Sequence, residues 1–269
     1  MTSRIVFLLI LTLPVYGFSQ HSGPAFPPVK AKLLWSDEFN YRGLPDSTKW
    51  DYEEGFIRNY EKQFYTRKRL KNAHVKGGKL IIETIKEKFE KGDYTSASIN
   101  TYGKRSFAGD FRIEVRAKLP FGKGIWPAIW MMGINRFTEG YPQCSEIDIM
   151  EFVGHQPDTI HGTLHWLDST GNKWKTKSRG AMLQFNDLHS RYHVYGFERR
   201  GKIMTLFVDR NRYFEFTVPE SAYPGSFTSP VYLLINTAIG GTWGREIDES
   251  ILPQKFFIDY VRVFDLDGF

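Results

Sequence analysis

The chain of 269 residues is an ordinary length for one all-β sandwich, and its 41% hydrophobic and 16% aromatic residues can fill a large core. The net charge of +6 comes from basic residues scattered along the sequence, which argues against a nucleic-acid-binding face and fits a solvated surface or mild attraction to anionic glycans. The single cysteine, Cys144, excludes an intramolecular disulfide.

The first segment, residues 1–19, has the pattern of an export signal. Arg4 supplies a positive charge, an apolar run follows, and Gly17-Phe18-Ser19 provides small residues for cleavage. The apolar run is short for a membrane span, so an uncleaved anchor is the weaker alternative. We predict a Pro-rich lead-in at residues 20–32, one folded domain at 33–269, and a secreted or periplasmic monomer without stable membrane insertion.

Short runs of alternating or β-branched residues occupy most of the remaining chain, and no long helical periodicity interrupts them. Gly77-Gly78 and residues 208–211 are typical of hairpin turns. Many short strands separated by turn signals predict an antiparallel sandwich or barrel. The clearest predicted strands are 79–85, 111–119, 193–198, 204–208, 231–237 and 256–264.

Two segments carry side chains that suit sugar recognition. Residues 59–66 alternate amide and acid groups with aromatic rings, which predicts a strand that presents hydrogen-bonding groups to hydroxyls; a solvent-facing polar strand is an equal alternative. Trp126 and Trp130 are four residues apart, so on a strand they share a face. Indole rings can stack on the apolar faces of pyranoses, although a core tryptophan pair is the other interpretation.

Three carboxylates, Glu146, Asp148 and Glu151, interrupt an otherwise apolar, β-branched segment. Ionised groups are rarely placed among core residues without a partner or a purpose. Side chains alternate along a strand, so Glu146 and Asp148 share a face and Glu151 points the other way. We predict a bulge at Ile149 or Met150, because one extra residue would bring all three acids to one face.

The acids on one face indicate glycoside chemistry. Glu146 and Glu151 would stand roughly 13 Å apart along the backbone, and inclined side chains could bring the carboxyl groups to about 5–6 Å, near the spacing that retaining glycosidases need. Asp148 between them should raise at least one pKa and keep one acid protonated. The alternatives are a calcium site or an exposed strand face with incidental acids.

Two segments beyond the acids could complete a cleft. Residues 161–166 alternate and could form a neighbouring strand, from which His165 could donate to a sugar hydroxyl or to a carboxylate. The glycine-rich segment 240–244 is predicted to be a loop whose Trp243 can cap the cleft.

These residues together resemble glycoside hydrolase family 16, and within it the laminarinase-like endo-β-1,3-glucanases, from about residue 33 to residue 265. The acid motif with its extra residue Met150 is specific, because relatives in other branches that cut mixed-linkage glucans tend to lack that residue. The other markers are Trp35-Ser36-Asp37-Glu38-Phe39, Glu61-Lys62-Gln63-Phe64-Tyr65-Thr66, Lys118-Leu119-Pro120, Ile125-Trp126-Pro127-Ala128-Ile129-Trp130, Thr163-Leu164-His165-Trp166, Gly240-Gly241-Thr242-Trp243 and Asp259-Tyr260-Val261-Arg262-Val263.

The resemblance implies an all-β, concanavalin A-like β-jelly-roll sandwich of two antiparallel sheets, with a substrate cleft on the concave sheet. By matching positions it makes Glu146 the nucleophile, Glu151 the acid/base and Asp148 their electrostatic partner. It implies a β-glucan substrate, and the positions that would contact it are Trp126, Trp130, His165, Asn59, Glu61 and Trp243.

No cofactor is implied for catalysis, but the family often carries a structural calcium ion on the convex side. Glu38, the backbone around Gly78, and Asp259 match that site, although a calcium ion needs six or more oxygens. The chain also departs from the family at Ser96-Ala97-Ser98, where many relatives have Ser-Ala-Arg. The missing arginine leaves the sugar-binding pattern, and with it the exact polysaccharide, unspecified.

The sequence therefore predicts a secreted retaining endo-glucanase that cuts internal β-1,3 bonds, with β-1,3/1,4 glucans as an open extension. The alternatives are a related hydrolase of mixed-linkage glucan or of red-algal galactan, a transglycosylase, and a non-catalytic glucan-binding protein on the same sandwich.

Overall fold

The protein consists of two β-sheets packed against each other. The computed structural model describes residues 31–170 and 173–267. The predicted export signal and most of the lead-in lie outside the described residues. The strands are β1 (Lys32–Asp37), β2 (Asp51–Tyr52), β3 (Gln63–Tyr65), β4 (Ala73–Val75), β5 (Leu80–Phe89), β6 (Gly92–Ser96), β7 (Ser98–Asn100), β8 (Phe111–Lys118), β9 (Ile125–Gly133), β10 (Glu146–Phe152), β11 (Thr159–Thr170), β12 (Lys173–Gln184), β13 (His193–Arg200), β14 (Ile203–Val208), β15 (Asn211–Thr217), β16 (Val231–Ile239) and β17 (Gln254–Asp265).

The strand order defines the two layers. One sheet runs β15-β14-β13-β8-β17-β5-β6-β3, with β1 beside β17 and β4 beside β5, and the other runs β12-β11-β10-β9-β16-β7-β2. All described strand pairs are antiparallel except β3 with β6. The predicted sandwich is confirmed, and β10 with its three acids lies inside the seven-stranded sheet rather than at its edge.

Helices are short in the described part of the chain. They are α1 (Arg136–Glu139), α2 (Gly241–Gly244) and a 3-10 helix at Glu249–Ile251. None of them is long and apolar enough to cross a membrane.

The core between the sheets follows from period-two alternation. On β8, Phe111, Ile113, Val115 and Ala117 are fully buried and face the core, as the alternation predicts. In the seven-stranded sheet, β9 and β16 are buried along their whole length, on both faces. One face of these strands packs on the core. The other face is also shielded from solvent, as expected for the floor of a deep groove.

The predicted strands are confirmed within a few residues at their ends, and both predicted hairpins are present. Gly77 and Gly78 connect β4 to β5 with φ of 62° and 70°, a conformation that glycine adopts without a Cβ penalty. Val208 pairs with Asn211 across the β14–β15 turn.

Two local predictions were wrong. Segment 59–66 is a strand only at β3, because Asn59 and Tyr60 have left-handed backbones, with φ of 56° and 55°, which no regular strand contains. Segment 240–244 is not all loop, since α2 forms one helical turn there.

Candidate active site

The predicted bulge in β10 is confirmed by the register of both neighbouring strands. Against β9 the pairing passes from Asp148–Trp130 directly to Met150–Ile129, and against β11 the pairing with Glu151 comes one residue late. Ile149 and Met150 are both fully buried in the core between the sheets. Two successive core-facing residues restore the parity of the strand.

The bulge sets the three acids on the groove face of β10. Ile147 and Phe152 join Ile149 and Met150 in the core cluster, so the acids alternate with core residues before and after the irregularity. The Glu146 side chain is 21% exposed and that of Asp148 is 6% exposed. The acids therefore lie at the bottom of a groove with restricted access to water, where charge interactions are strong.

Glu146 is the acid that faces positive charge. Burial and the charge of Asp148 raise its pKa to about 7. His165, its partner across the ladder, lies 3.9 Å away from Nε2 to Oε1, and the same Nε2 is 3.2 Å from Asp148 Oδ2. Burial opposes protonation of His165, but the hydrogen bond and charge of Asp148 raise its pKa above 6.5. A charged His165 favours ionisation of Glu146.

The two ring neighbours of Glu151, Trp126 and His161, carry no charge. Its Oε1 accepts a hydrogen bond of 3.0 Å from Trp126 Nε1. Its ladder partner His161 stays neutral, because burial lowers the pKa of that ring to about 4. Burial and the nearby Asp148 raise the pKa of Glu151 well above 4.5, with only the Trp126 bond in opposition. The surroundings of Glu151 therefore favour its protonated form, and among the described residues the structure gives it no positively charged neighbour like the His165 beside Glu146.

Trp243 closes the groove beside Glu151. Its ring meets Trp126 edge-on at 5.5 Å between centroids and meets His161 at 4.8 Å. The α2 turn that carries it is fixed to the 59–62 segment, since Thr242 N–H donates to Asn59 O at 2.9 Å. Backbone contact is so close at Gly241 that a Cβ there would lie 2.7 Å from Asn59 O, so only glycine fits.

Glu61 is the centre of a buried polar network formed with Asn59, Gln63 and Tyr65. It is 7% exposed and accepts hydrogen bonds from Gln63 Nε2 at 2.7 Å, Tyr65 OH at 3.1 Å and Asn59 Nδ2 at 3.2 Å. Burial raises its pKa. The network continues through Asn236, which donates to Tyr65 and accepts from Trp130 Nε1 at 2.8 Å.

The six predicted sugar-contacting residues are thus gathered on one face of the sheet, but with unequal access. Trp126 and Trp130 are 7% and 5% exposed, and their indole nitrogens are already occupied by Glu151 and Asn236. Trp126 thus holds the carboxyl group of Glu151 and Trp130 holds the amide of Asn236, a structural role in addition to the predicted stacking on sugar rings.

Arg58 is a cleft residue that the sequence reasoning missed. Its guanidinium lies 5.0 Å from the Trp130 ring centroid and pairs with Glu53, whose other oxygen accepts from Ser98 Oγ at 2.6 Å. Burial opposes ionisation of Glu53, but Arg58 holds its pKa below 4.5. Ser98 stands on β7 where many relatives have an arginine. Through its hydrogen bond to Glu53 it helps to hold Arg58, which comes from another segment.

Metal ligation is possible at one cluster within the described parts of the chain. Single ligand atoms of Glu146, Asp148 and His165 lie within 4.8 Å of one another. These are the same groups whose charges are coupled in the groove, so a cation there would compete with His165 for the carboxylates.

The residues predicted to bind structural calcium do lie together, around a cavity of about 560 Å³ on the ten-stranded sheet. Their oxygens are engaged, however. Arg262 donates to both oxygens of Glu38 at 2.9 and 2.8 Å, and Arg116 pairs with Asp259. In this arrangement the donor set does not fit a calcium ion, which needs six or more oxygens. The calcium ion that the resemblance implies would have to displace both arginines to bind here.

The chain is similar in sequence to known proteins over most of its length. The model of glycosyl hydrolases family 16 matches residues 60–262. A beta-glucanase of Rhodothermus marinus is 43% identical over 246 residues, which cover 87% of this chain and 85% of that protein.

Solved structures agree in fold. The laminarinase from Rhodothermus marinus has a TM-score of 0.80 at 40% identity, covering 87% of this chain and 97% of that one. SCLam, a non-specific endo-beta-1,3(4)-glucanase from family GH16, was co-crystallized as a mutant with a glucan oligosaccharide. It has a TM-score of 0.80 at 37% identity, over 90% and 98% of the two chains.

Proposed function

The chain belongs to glycosyl hydrolase family 16, and we propose that it is an endo-glucanase that cuts internal β-1,3 bonds with retention of configuration. The bulged strand that places Glu146, Asp148 and Glu151 on one groove face carries this proposal. Retaining glycosidases need one carboxylate to attack and one carboxylic acid to donate a proton, and a pair of acids with different pKa values supplies both.

Glu146 is the nucleophile in this proposal. Its carboxylate attacks the anomeric carbon, and the bond from that carbon to the leaving oxygen breaks as the glycosyl-enzyme ester forms. Charged His165 favours the ionised carboxylate that attack requires. Asp148, which contacts the same imidazole, holds the ring beside Glu146.

Glu151 is the acid and then the base. Its proton passes to the leaving glycosidic oxygen, and the carboxylate so formed takes a proton from the water that attacks the ester. Burial and the nearby charge of Asp148 keep the first proton on Glu151. The hydrogen bond from Trp126 Nε1 orients the carboxyl group and stabilises its charged form between the two steps.

A β-1,3-glucan is the substrate we propose, because the similar proteins named above are a beta-glucanase, a laminarinase and a non-specific endo-beta-1,3(4)-glucanase. A mixed-linkage glucan is the second candidate, supported by the non-specific relative. Release of reducing ends from laminarin, mixed-linkage glucan, agar and carrageenan separates these substrates and includes the galactan alternative. Product sizes at high laminarin concentration show whether transglycosylation competes with hydrolysis.

The catalytic roles are tested by substitution. Glu146→Ser should abolish hydrolysis of laminarin with the circular dichroism spectrum unchanged, and wild-type rates in this variant would refute the assignment. Proton NMR of the first products should show the β-anomer before mutarotation, and an α-anomer would exclude retention. Unsubstituted protein that binds laminarin but releases no reducing ends would favour the glucan-binding alternative.

We also propose that the protein is exported, as the pattern of residues 1–19 predicts, and that it acts as a monomer without stable membrane insertion. N-terminal sequencing of the mature protein from culture medium and periplasm would locate the cleavage site and the compartment. Light scattering on the same sample would give the oligomeric state.

A further inference from the structure

The floor of the groove continues past the acids across two further strands. Glu146 on β10 pairs with Met132 on β9, and Met132 pairs with Tyr232 on β16. Tyr232 is 4% exposed and belongs to an apolar cluster on the groove face that includes Trp130 and Met132. With adjacent strands about 4.8 Å apart, this floor reaches about 10 Å sideways from Glu146.

Two exposed aromatic rings stand at the end of this floor. Tyr102 is 39% exposed and Phe137 is 66% exposed, and their ring centroids are 4.7 Å apart. Tyr102 also meets the buried Tyr232 edge-on at 5.1 Å. We call the pair Tyr102 and Phe137 the aromatic shelf. It is continuous, ring by ring, with the floor of the catalytic groove.

The aromatic shelf is built from segments that are held in place. Tyr102 N–H donates to Asn100 Oδ1 at 3.0 Å, directly after β7. The segment that carries Phe137 is attached at its start by Ile134 N–H to Pro230 O at 3.0 Å, and its two ends are joined by Gly133 N–H to Ser145 O at 3.4 Å. A preformed surface loses little conformational entropy when a ligand binds to it.

Charge beside the aromatic shelf suits a hydroxylated ligand. The Arg136 guanidinium lies 6.0 Å from the Phe137 ring centroid, and its Nη1 contacts Met132 Sδ at 2.6 Å on the groove floor. A pyranose offers an apolar face to a ring and hydroxyl groups to a guanidinium, so rings and a fixed donor side by side match both of its surfaces.

We propose that the aromatic shelf is a distal subsite for a glucosyl unit of the bound chain, remote from the unit attacked by Glu146. This inference rests on the proposed function. It explains why rings of this size are left exposed beside the groove, since exposed apolar patches commonly mark binding surfaces. Substrates long enough to reach the shelf would bind more tightly than shorter ones.

The test compares long and short substrates. For Phe137→Ala, the ratio of kcat/KM on laminariheptaose to kcat/KM on laminaritriose should fall about fivefold, the effect of losing one aromatic contact. In a Glu146→Ser background, calorimetry should show the same loss of affinity for laminariheptaose. Ile203→Ala, an apolar side chain 43% exposed on β14 of the other sheet, is the matched control and should leave the ratio unchanged.

The outcomes separate the two proposals. If unsubstituted protein releases no reducing ends from laminarin, the proposed function fails. If it hydrolyses laminarin but Phe137→Ala leaves both the ratio and the heptaose affinity unchanged, the shelf is not a subsite. An equal fall in the Ile203→Ala control would show a general loss of stability and would also overturn the inference. Tyr102→Ala should repeat the Phe137→Ala result.

Discussion

Removing the charge from Glu146 should stabilise this protein, but only at neutral and alkaline pH. Burial and the charge of Asp148 raise the pKa of Glu146 from 4.5 to about 7. The folded state therefore holds a proton that the unfolded state loses between these two values, and the stability of the unsubstituted protein falls as pH rises through this window. Glu146→Gln keeps the shape of the side chain and removes the dependence.

The magnitude follows from the pKa. Each tenfold change in proton affinity is worth about 1.4 kcal/mol, so ionised Glu146 destabilises the folded state by about 3 kcal/mol at pH 8. Below pH 4.5 the side chain is protonated in both states and the difference vanishes. For a domain of this size, about 3 kcal/mol corresponds to a rise of about 5–10 °C in Tm.

Urea unfolding and thermal scans at pH 4 and pH 8 measure the effect. Glu146→Gln should raise the free energy of unfolding at pH 8 and leave it nearly unchanged at pH 4. The control is Glu90→Gln, in the exposed turn after β5, which should change neither value. Equal stability of Glu146→Gln and the unsubstituted protein at pH 8, or a larger gain at pH 4, would refute the reasoning.

Three further predictions concern pH, one hydrogen bond and calcium. kcat/KM on laminarin should rise with pH through about 7 as Glu146 ionises, and fall at higher pH as Glu151 loses its proton; a rate that falls between pH 5 and pH 7 would contradict this. Trp126→Phe removes the N–H that lowers the pKa of Glu151, so the alkaline limb of the pH profile should move upward and kcat should fall about tenfold. Millimolar calcium or EDTA should shift Tm by less than about 1 °C, because arginines occupy the carboxylates of Glu38 and Asp259; a rise of several degrees with calcium would show that the ion displaces them.

The acid strand could be predicted because its information is local. The parity of Glu146, Asp148 and Glu151 along one strand requires a bulge if all three are to share a face, whatever the strand packs against. The apolar residues between the acids indicate the same bulge, because Ile149 and Met150 must then both enter the core, as they do. Strand positions elsewhere follow from the same period-two pattern.

The polar side of the groove could not be predicted, because it depends on distant contacts. Arg58 and Glu53 lie in a segment of no regular periodicity, and their ion pair is placed by Ser98 and Trp130, which come from two other strands. The sequence pattern within one segment carries no information about contacts between segments that are distant in the chain. The left-handed backbone at Asn59 was missed for the same reason, since its carbonyl is fixed by Thr242.

For the residues predicted to bind calcium, the sequence predicted which residues lie together but not which side chains they pair with. Sequence matching brought Glu38, Gly78 and Asp259 together correctly, and they line one cavity. It did not indicate that Arg116 and Arg262 would line the same cavity and pair with both carboxylates. Position in a motif predicts proximity, whereas ligand availability depends on which counter-charge comes nearest in space.

One strand thus presents two glutamates to a shared groove and gives them different protonation behaviour through their neighbours. Across the ladder from Glu146 lies His165, whose pKa is raised by Asp148. Glu151 instead contacts the neutral His161 and the indole N–H of Trp126. Without the bulge, Glu151 would face the core and no such division could exist. The bulge pairs Glu151 with the neutral His161 instead of a charged imidazole, and burial with the charge of Asp148 then favours the protonated acid five residues from the carboxylate of Glu146.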